Sequence, residues 1–417
     1  MPQLTNWAGN VEFAAARLHR PTTLDELQEV VRASERLRVL GTGHSFNRIA
    51  DTTGDLVSVA DLPTRVDVDE PGRTVTVSAG TRYAEVTAAL QDAGLALHNL
   101  GSLPHISVGG ACATGTHGSG SRNGVLATAV RGLELVGADG ELRRIGPDDP
   151  QLAGSVISLG ALGVVTALTL AVEPTYEVQQ VVYDDVAHSE VLGGVTDILD
   201  SHYSLSLFST WREPLLWQTW VKHRVDDEPW APPATLFGAH CADGLRHPVP
   251  GVDPVHCTDQ SGDPGPWNER LPTFRREFTP SSGEELQSEF MVPRHLAREA
   301  IAAVTELAPL IAPVIHCGEL RSMAADDLWM SPAQGRETIA IHFTWKLDPE
   351  RVAPVVARVQ QALAPFEARP HWGKIFSTEP ADVLRHYDRA PDFAALLKEH
   401  DPAGVLRGDF VGAYFPV

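Results

Sequence analysis

The sequence predicts an α+β chain of two domains, and three observations carry that reading. Up to Glu173-Pro174, short helical patterns mix with two-strand hairpins and show no regular strand–helix–strand repetition. Two glycine-rich loops in this part directly follow apolar segments. Beyond Pro174 most of the nine tryptophans appear, along with strands that alternate apolar and polar residues as an antiparallel sheet does. The predicted division is 1–173 for a first domain, 174–371 for a cap laid over it, and 372–417 for a return to the first.

The elements follow in order. The opening segment Asn6-Trp7-Ala8-Gly9-Asn10 reads as exposed. Thr23 and Glu26 have capping-box spacing, and Leu24, Leu27, Val30 and Val31 form one apolar helical face. A strand at 37–40 delivers the loop Gly41-Thr42-Gly43-His44-Ser45-Phe46-Asn47. A strand at 56–59 and a hairpin of 66–69 with 74–77 follow. Residues 83–94 read as a helix with Val86, Leu90 and Ala93 on one face and Gly94 as its stop. Residues 101–120 then hold six glycines among hydroxyl side chains. A second hairpin pairs 130–136 with 141–145 across Asp139-Gly140, and 162–170 is a buried strand.

In the cap, Trp211, Trp217, Trp220 and Trp230 lie among alternating polar residues around 205–221. Residues 229–283 are rich in proline and glycine and read as irregular. A helix at 294–310, strands at 314–321 and 338–345, and a helix at 349–363 complete it.

Composition narrows the function. The 417 residues carry a formal net charge of −21, which excludes the basic footprint of nucleic-acid binding and opposes an anionic membrane surface. No apolar run reaches spanning length, and the first residues lack the pattern of a signal peptide, so a cytoplasmic protein is expected. The four cysteines are scattered and read as reduced thiols. His240, Cys241, His247, His256 and Cys257 do not have the spacing of a closed zinc site; the histidines read as scattered surface groups, and no metal is expected.

The glycine loops are neither a Walker loop nor the dinucleotide fingerprint. Their free backbone N–H groups suit a long polyanion such as a pyrophosphate. In the cap, Glu319 and Arg321 share one face of a strand, as do His342 and Thr344. Periodicity alone leaves a structural Glu–Arg pair equally open. His371-Trp372-Gly373-Lys374 adds a lysine beside two aromatic rings, and a snorkelling surface lysine is the alternative.

Taken together, Gly-Thr-Gly-His-Ser, Ser-Leu-Pro-His-Ile-Ser, Ala-Thr-Gly-Thr-His-Gly-Ser-Gly, Glu-Leu-Arg and His-Trp-Gly-Lys resemble the vanillyl-alcohol-oxidase type of FAD flavoprotein. Within it the chain is most similar to alditol oxidases acting on xylitol and sorbitol, relatives of the sugar-lactone oxidases. The resemblance implies a PCMH-type FAD-binding domain, an α+β substrate cap with an antiparallel sheet, and FAD bonded covalently to His44. It implies FAD contacts at Gly41, Thr42, Gly43, Ser45, Phe46, Asn47, Ser102, Ser107, Gly110, Thr114, Gly115, Thr116, His117, Val164, Val165 and Lys374. Ser102, Glu319, Arg321, Thr344 and Lys374 match the polyol-binding residues. Arg321, Lys374 and His342 take the catalytic roles, with His342 or a neutral Lys374 as the base. Thr42 stands where relatives often have serine, and Cys112 where they often have a small residue.

The expected reaction takes a terminal C1 hydroxyl to the aldose with O2 reduced to H2O2. Gly101, the smallest residue before Ser102, is expected to leave oxygen a path. A sugar-lactone oxidase or dehydrogenase on the same scaffold is the first alternative, and a non-catalytic carbohydrate- or cofactor-binding protein the second. The oligomeric state is left open, a monomer among the options.

Overall fold

Two hydrophobic cores organise the chain. The computed structural model describes residues 4–277 and 284–417. One core joins Leu27, Val31, Val75, Val86 and Leu90 to Trp372, Phe393, Leu397 and Tyr414, so the last segment packs back on the first. The other gathers Val195, Trp217, Ile301, Ile341 and Val356.

Local chemistry explains the elements of the first part. The helix Leu24–Ala33 starts where the Thr23 hydroxyl accepts from the Glu26 N–H. The Glu26 carboxylate accepts from the N–H of Thr22 and also draws on the N–H of Thr23, as the expected capping box requires. The helix Tyr83–Asp92 ends before Gly94, whose φ of 71° is left-handed. A five-stranded antiparallel sheet runs Val66–Asp69, Thr74–Ser78, Val164–Ala171, Val130–Val136, Leu142–Ile145 in space. A small parallel sheet of Arg17–His19, Asp55–Val57 and Leu37–Val39 aims the chain at the first glycine loop.

The cap is a long antiparallel sheet. Its central strands lie in the order Glu177–Ala187, Leu216–Arg224, Ser204–Ser209, Ile315–Met323, Thr338–Lys346, Glu285–Pro293. On Thr338–Lys346, Ile339, Ile341, Phe343 and Trp345 join the core formed with the helices His188–Asp200, Ala297–Thr305 and Pro349–Leu363. Each such burial contributes about 1.5–3 kcal/mol. The alternate residues, His342 and Thr344, necessarily point the other way.

Three expectations are corrected. The helix at 294–310 breaks into a 3-10 turn at Arg294–Leu296, a helix Ala297–Thr305 and a turn Ala308–Ile311, because Pro309 has no N–H to continue the ladder. The segment 6–10 is not simply exposed: Asn6 is buried, and its amide donates to Ser45 O at 2.9 Å. The stretch 229–283 contains short strands at Thr235–Leu236 and Ala239–Cys241 and a helical turn at Trp267–Arg270. Residues 1–3 and 278–283 lie outside the described residues. Among the described residues, no helix is long and apolar enough to cross a membrane.

Candidate active site

A cavity of about 720 Å³ lies between the two glycine loops and the polar face of the large sheet. Its first wall is made largely of backbone and small side chains. Gly43 holds a left-handed φ of 72°. A Cβ on Gly41 would sit 2.9 Å from Ser107 Oγ, so any side chain there would push that hydroxyl aside. Ser107 Oγ is itself buried, lines the cavity and has no hydrogen-bond partner among the described residues. An unspent hydroxyl beside bare glycine backbone fits the acceptor oxygens of a dinucleotide pyrophosphate.

His44 stands in this wall. Trp7 stacks on it with ring centroids 4.6 Å apart, and Trp7 N donates to Gly43 O at 2.8 Å. His105 Nε2 is 2.8 Å from His44 Nε2. Burial, then the neighbouring His105 and Arg82, push the His44 pKa down to about 3, so its imidazole is neutral near pH 7. The pairing leaves His44 Nδ1 free of that contact.

The first loop is tied to the last segment. Phe46 N donates to Gly373 O at 2.8 Å. The Asn47 amide donates to Trp372 O and to Lys374 O, each at 2.8 Å, and its Oδ1 accepts from Ile49 N at 3.1 Å. This clamp sets Lys374 at the junction of the two walls.

The second wall is charged. Register puts Glu289, His342 and Glu319 side by side across three strands, with Gln287, Thr344 and Cys317 in the next row. Lys374 Nζ lies 2.7 Å from Glu289 Oε2 and 2.8 Å from His342 Nδ1. Arg321 Nη2 donates to Glu289 Oε1 at 2.5 Å, and its Nε is 3.4 Å from Glu319 Oε2. His342 Nε2 is 3.1 Å from Thr344 Oγ1. A lysine ammonium only donates, so His342 Nδ1 accepts and Nε2–H points to Thr344.

The charges balance locally. Burial alone would raise the Glu289 pKa, but Lys374 and Arg321 overcome it and hold the carboxyl well below its ordinary value. Burial, then Lys374, lowers the His342 pKa to about 4. Burial also lowers Lys374, against the pull of Glu289. His117, Glu289 and His371 bring ligand atoms within 4.8 Å of one another. Two cations already share that carboxylate, which leaves little charge to attract a metal ion.

Most residues named from the sequence line this one cavity: Gly41 to Asn47, Ser102, Ser107, Gly110, Thr114, Thr116, His117, Val165, Glu319, Arg321, His342, Thr344 and Lys374. Two do not. Val164 is fully buried on the opposite face of its strand from Val165. Gly115 turns the chain at φ 71°, and a Cβ there would face Pro332. His247, partly buried, and His256, exposed at the surface as expected, also line the cavity. The sequence reading missed Glu289, although Glu285, Gln287 and Glu289 alternate with Leu286, Ser288 and Phe290 and so announced a polar strand face.

Comparison with known proteins agrees with this geometry. Residues 15–146 match an FAD binding domain family and residues 283–414 a D-arabinono-1,4-lactone oxidase family. Cholesterol oxidase from B. sterolicum has the same fold, with TM-score 0.78 over 99% of this chain and 96% of its own at 15% identity. Fold and site thus define an FAD-dependent oxidoreductase of the two-domain type. An alditol oxidase from Streptomyces sp. (strain IKD472 / FERM P-14339) is 49% identical over 98% of both chains. An L-gulono-1,4-lactone dehydrogenase from Mycobacterium tuberculosis is 30% identical over 98% of both. The chain belongs to the alditol oxidase family.

Proposed function

We propose that the chain oxidises the terminal C1 hydroxyl of an alditol such as xylitol or sorbitol to the aldose and reduces O2 to H2O2. The observation that carries this is the second wall: Glu319, Arg321, His342, Thr344 and Lys374 converge on the cavity that suits FAD. When bound, FAD supplies the hydride acceptor and returns the electrons to oxygen. Glu319, Thr344 and Ser102 bind successive hydroxyls, and a site built for hydroxyls rejects alcohols that lack them. Arg321 stabilises the negative charge developing on the reacting oxygen. His342 Nδ1 is engaged by Lys374 and its Nε2 by Thr344, so the base role falls to the Lys374 amine. His44 carries the flavin covalently through Nδ1, a reading supported by its neutral state and by His105 on Nε2.

The division into 1–173, 174–371 and 372–417 is our reading: the buried members of the second core all fall within 174–371, while the first core also takes Tyr203, Trp267, Met291 and Trp329 from that span. A cytoplasmic location is supported by four free cysteines.

A second reading, oxidation of a sugar lactone, is favoured by the match of residues 283–414 to the lactone oxidase family. One preparation tests both. Acid precipitation of the purified protein leaves a yellow pellet in wild type and a yellow supernatant in His44→Ala. Peroxide release is then measured with xylitol, sorbitol and a γ-lactone. Peroxide from the lactone alone replaces alditol by lactone as substrate, and a protein that takes up no FAD ends the oxidase reading.

A further inference from the structure

We propose that Glu289 is a positioning residue of this site: from the buried Glu285–Pro293 strand it holds Lys374 and Arg321 together and aims the remaining valence of the lysine nitrogen into the cavity. The inference rests on alditol oxidation as read above and assigns a role to a residue outside the match to polyol-binding residues.

The argument begins with valence. The lysine nitrogen has three positions besides its carbon. Glu289 Oε2 at 2.7 Å and His342 Nδ1 at 2.8 Å take two of them; the carboxylate is an acceptor, and His342 Nδ1 accepts in the tautomer that gives its Nε2–H to Thr344. An amine has two N–H bonds, so both are committed and the lone pair lies in the third position. Lys374 lines the cavity, and its side chain is 13% exposed, so the third position faces the substrate space. There the lone pair takes the hydroxyl proton as hydride leaves the carbon. O–H and C–H bonds break, N–H and the second C–O bond form, and the electron pair passes to the bound flavin.

Glu289 is placed to do this and little else. Its carboxylate is fully buried, with one oxygen on Lys374 and the other 2.5 Å from Arg321. Without it the guanidinium and the lysine would face each other inside a dry site. The charged and titratable groups around Lys374 come from every adjoining element. They are Glu289 from its own strand, Glu319 and Arg321 from Ile315–Met323, His342 from Thr338–Lys346, and His371 from the lysine's own turn, with His117 touching Glu289 from the second glycine loop. Glu289 and Glu319 favour the ammonium, while burial and Arg321 favour the amine. Removing the Glu289 charge therefore shifts the lysine toward the amine, and the acid limb of the reduction profile moves to lower pH.

The test uses Glu289→Gln in the flavin-loaded enzyme, with two readouts against pH. One is anaerobic flavin reduction by xylitol. The other is competitive acetylation followed by mass spectrometry, which is clean because the chain has only four lysines, at 222, 346, 374 and 398. The expected result is a downward move of the Lys374 titration by roughly 1–3 pH units in both readouts, as for loss of one opposite charge within about 4–6 Å. Lys346 and Lys398 stay unchanged as internal references. Glu289→Asp keeps the charge but withdraws it by one methylene, so it moves the titration the same way by less, and it carries the comparison if the glutamine variant does not fold. Wild-type titration of Lys374 in both variants overturns the proposal. Failure of wild type to be reduced by any alditol overturns the substrate reading instead, and the acetylation arm still decides the role of Glu289.

Discussion

The two walls of the cavity are built on opposite chemistry. The glycine wall, at 41–47 and 101–117, offers backbone, small side chains and the neutral pair His44 and His105. The sheet wall offers Arg321 and Lys374 against Glu289 and Glu319, with His342 between them. The difference follows from what each wall meets. A cofactor of fixed shape is held best by fixed backbone donors, which need no titration and lose little entropy. A substrate that must lose a proton needs groups whose charge can change, and these survive burial only in balanced sets.

The comparison breaks most visibly at Lys374. Lys374→Met is expected to slow anaerobic reduction by xylitol by about 10²–10⁴-fold, the range for a lost general base. The flavin is expected to remain with the acid-precipitated pellet, because attachment belongs to the other wall. Release of flavin by this variant would mean that the walls do not work separately. A smaller effect is expected at Gly101. A Cβ there would lie 3.7 Å from His117 O and from Thr116 Cγ2, an ordinary contact, so alanine fits while the branched valine crowds the space. Gly101→Val is expected to slow reoxidation by O2 and leave reduction unchanged. Equal reoxidation rates would end the idea of an oxygen path at this position.

How far the sequence could be read differs between the walls for a physical reason. The glycine wall is a local pattern, so its two loops stood out as bare backbone within a few residues, and the resemblance then matched Gly41 to Asn47 and residues from Ser107 to His117 to cofactor contacts, of which Gly115 does not line the cavity. The pairs Glu319–Arg321 and His342–Thr344 follow from the two-residue period of a strand. Glu289 escaped because its meaning depends on partners 32 and 85 positions away, at Arg321 and Lys374. The latch of Trp7 onto Gly43 is likewise tertiary. Val164 and Val165 illustrate phase: a run of apolar residues marks a buried strand, but which alternate set faces the ligand needs the register. Pro309, by contrast, was visible, and the helix drawn through it neglected a local rule.

Asn47 sharpens the comparison at the seam between the walls. The resemblance counts it among the cofactor contacts, and it does line the cavity. Its side chain, however, is spent on protein: two donated bonds hold Trp372 O and Lys374 O, and its oxygen accepts from Ile49 N. We therefore expect Asn47→Ala to act through stability and through Lys374. Loss of the clamp leaves part-buried carbonyls unmet and costs roughly 1–3 kcal/mol, read as a lower melting temperature. Reduction by xylitol is expected to slow far less than in Lys374→Met, since the amine is loosened and not removed. Asn47→Asp is the stricter variant. It keeps the acceptor for Ile49 but sets a carboxylate against two carbonyl oxygens, so it should be worse than alanine despite its matching shape. A protein with wild-type melting that sheds its flavin in both variants would return Asn47 to the cofactor wall.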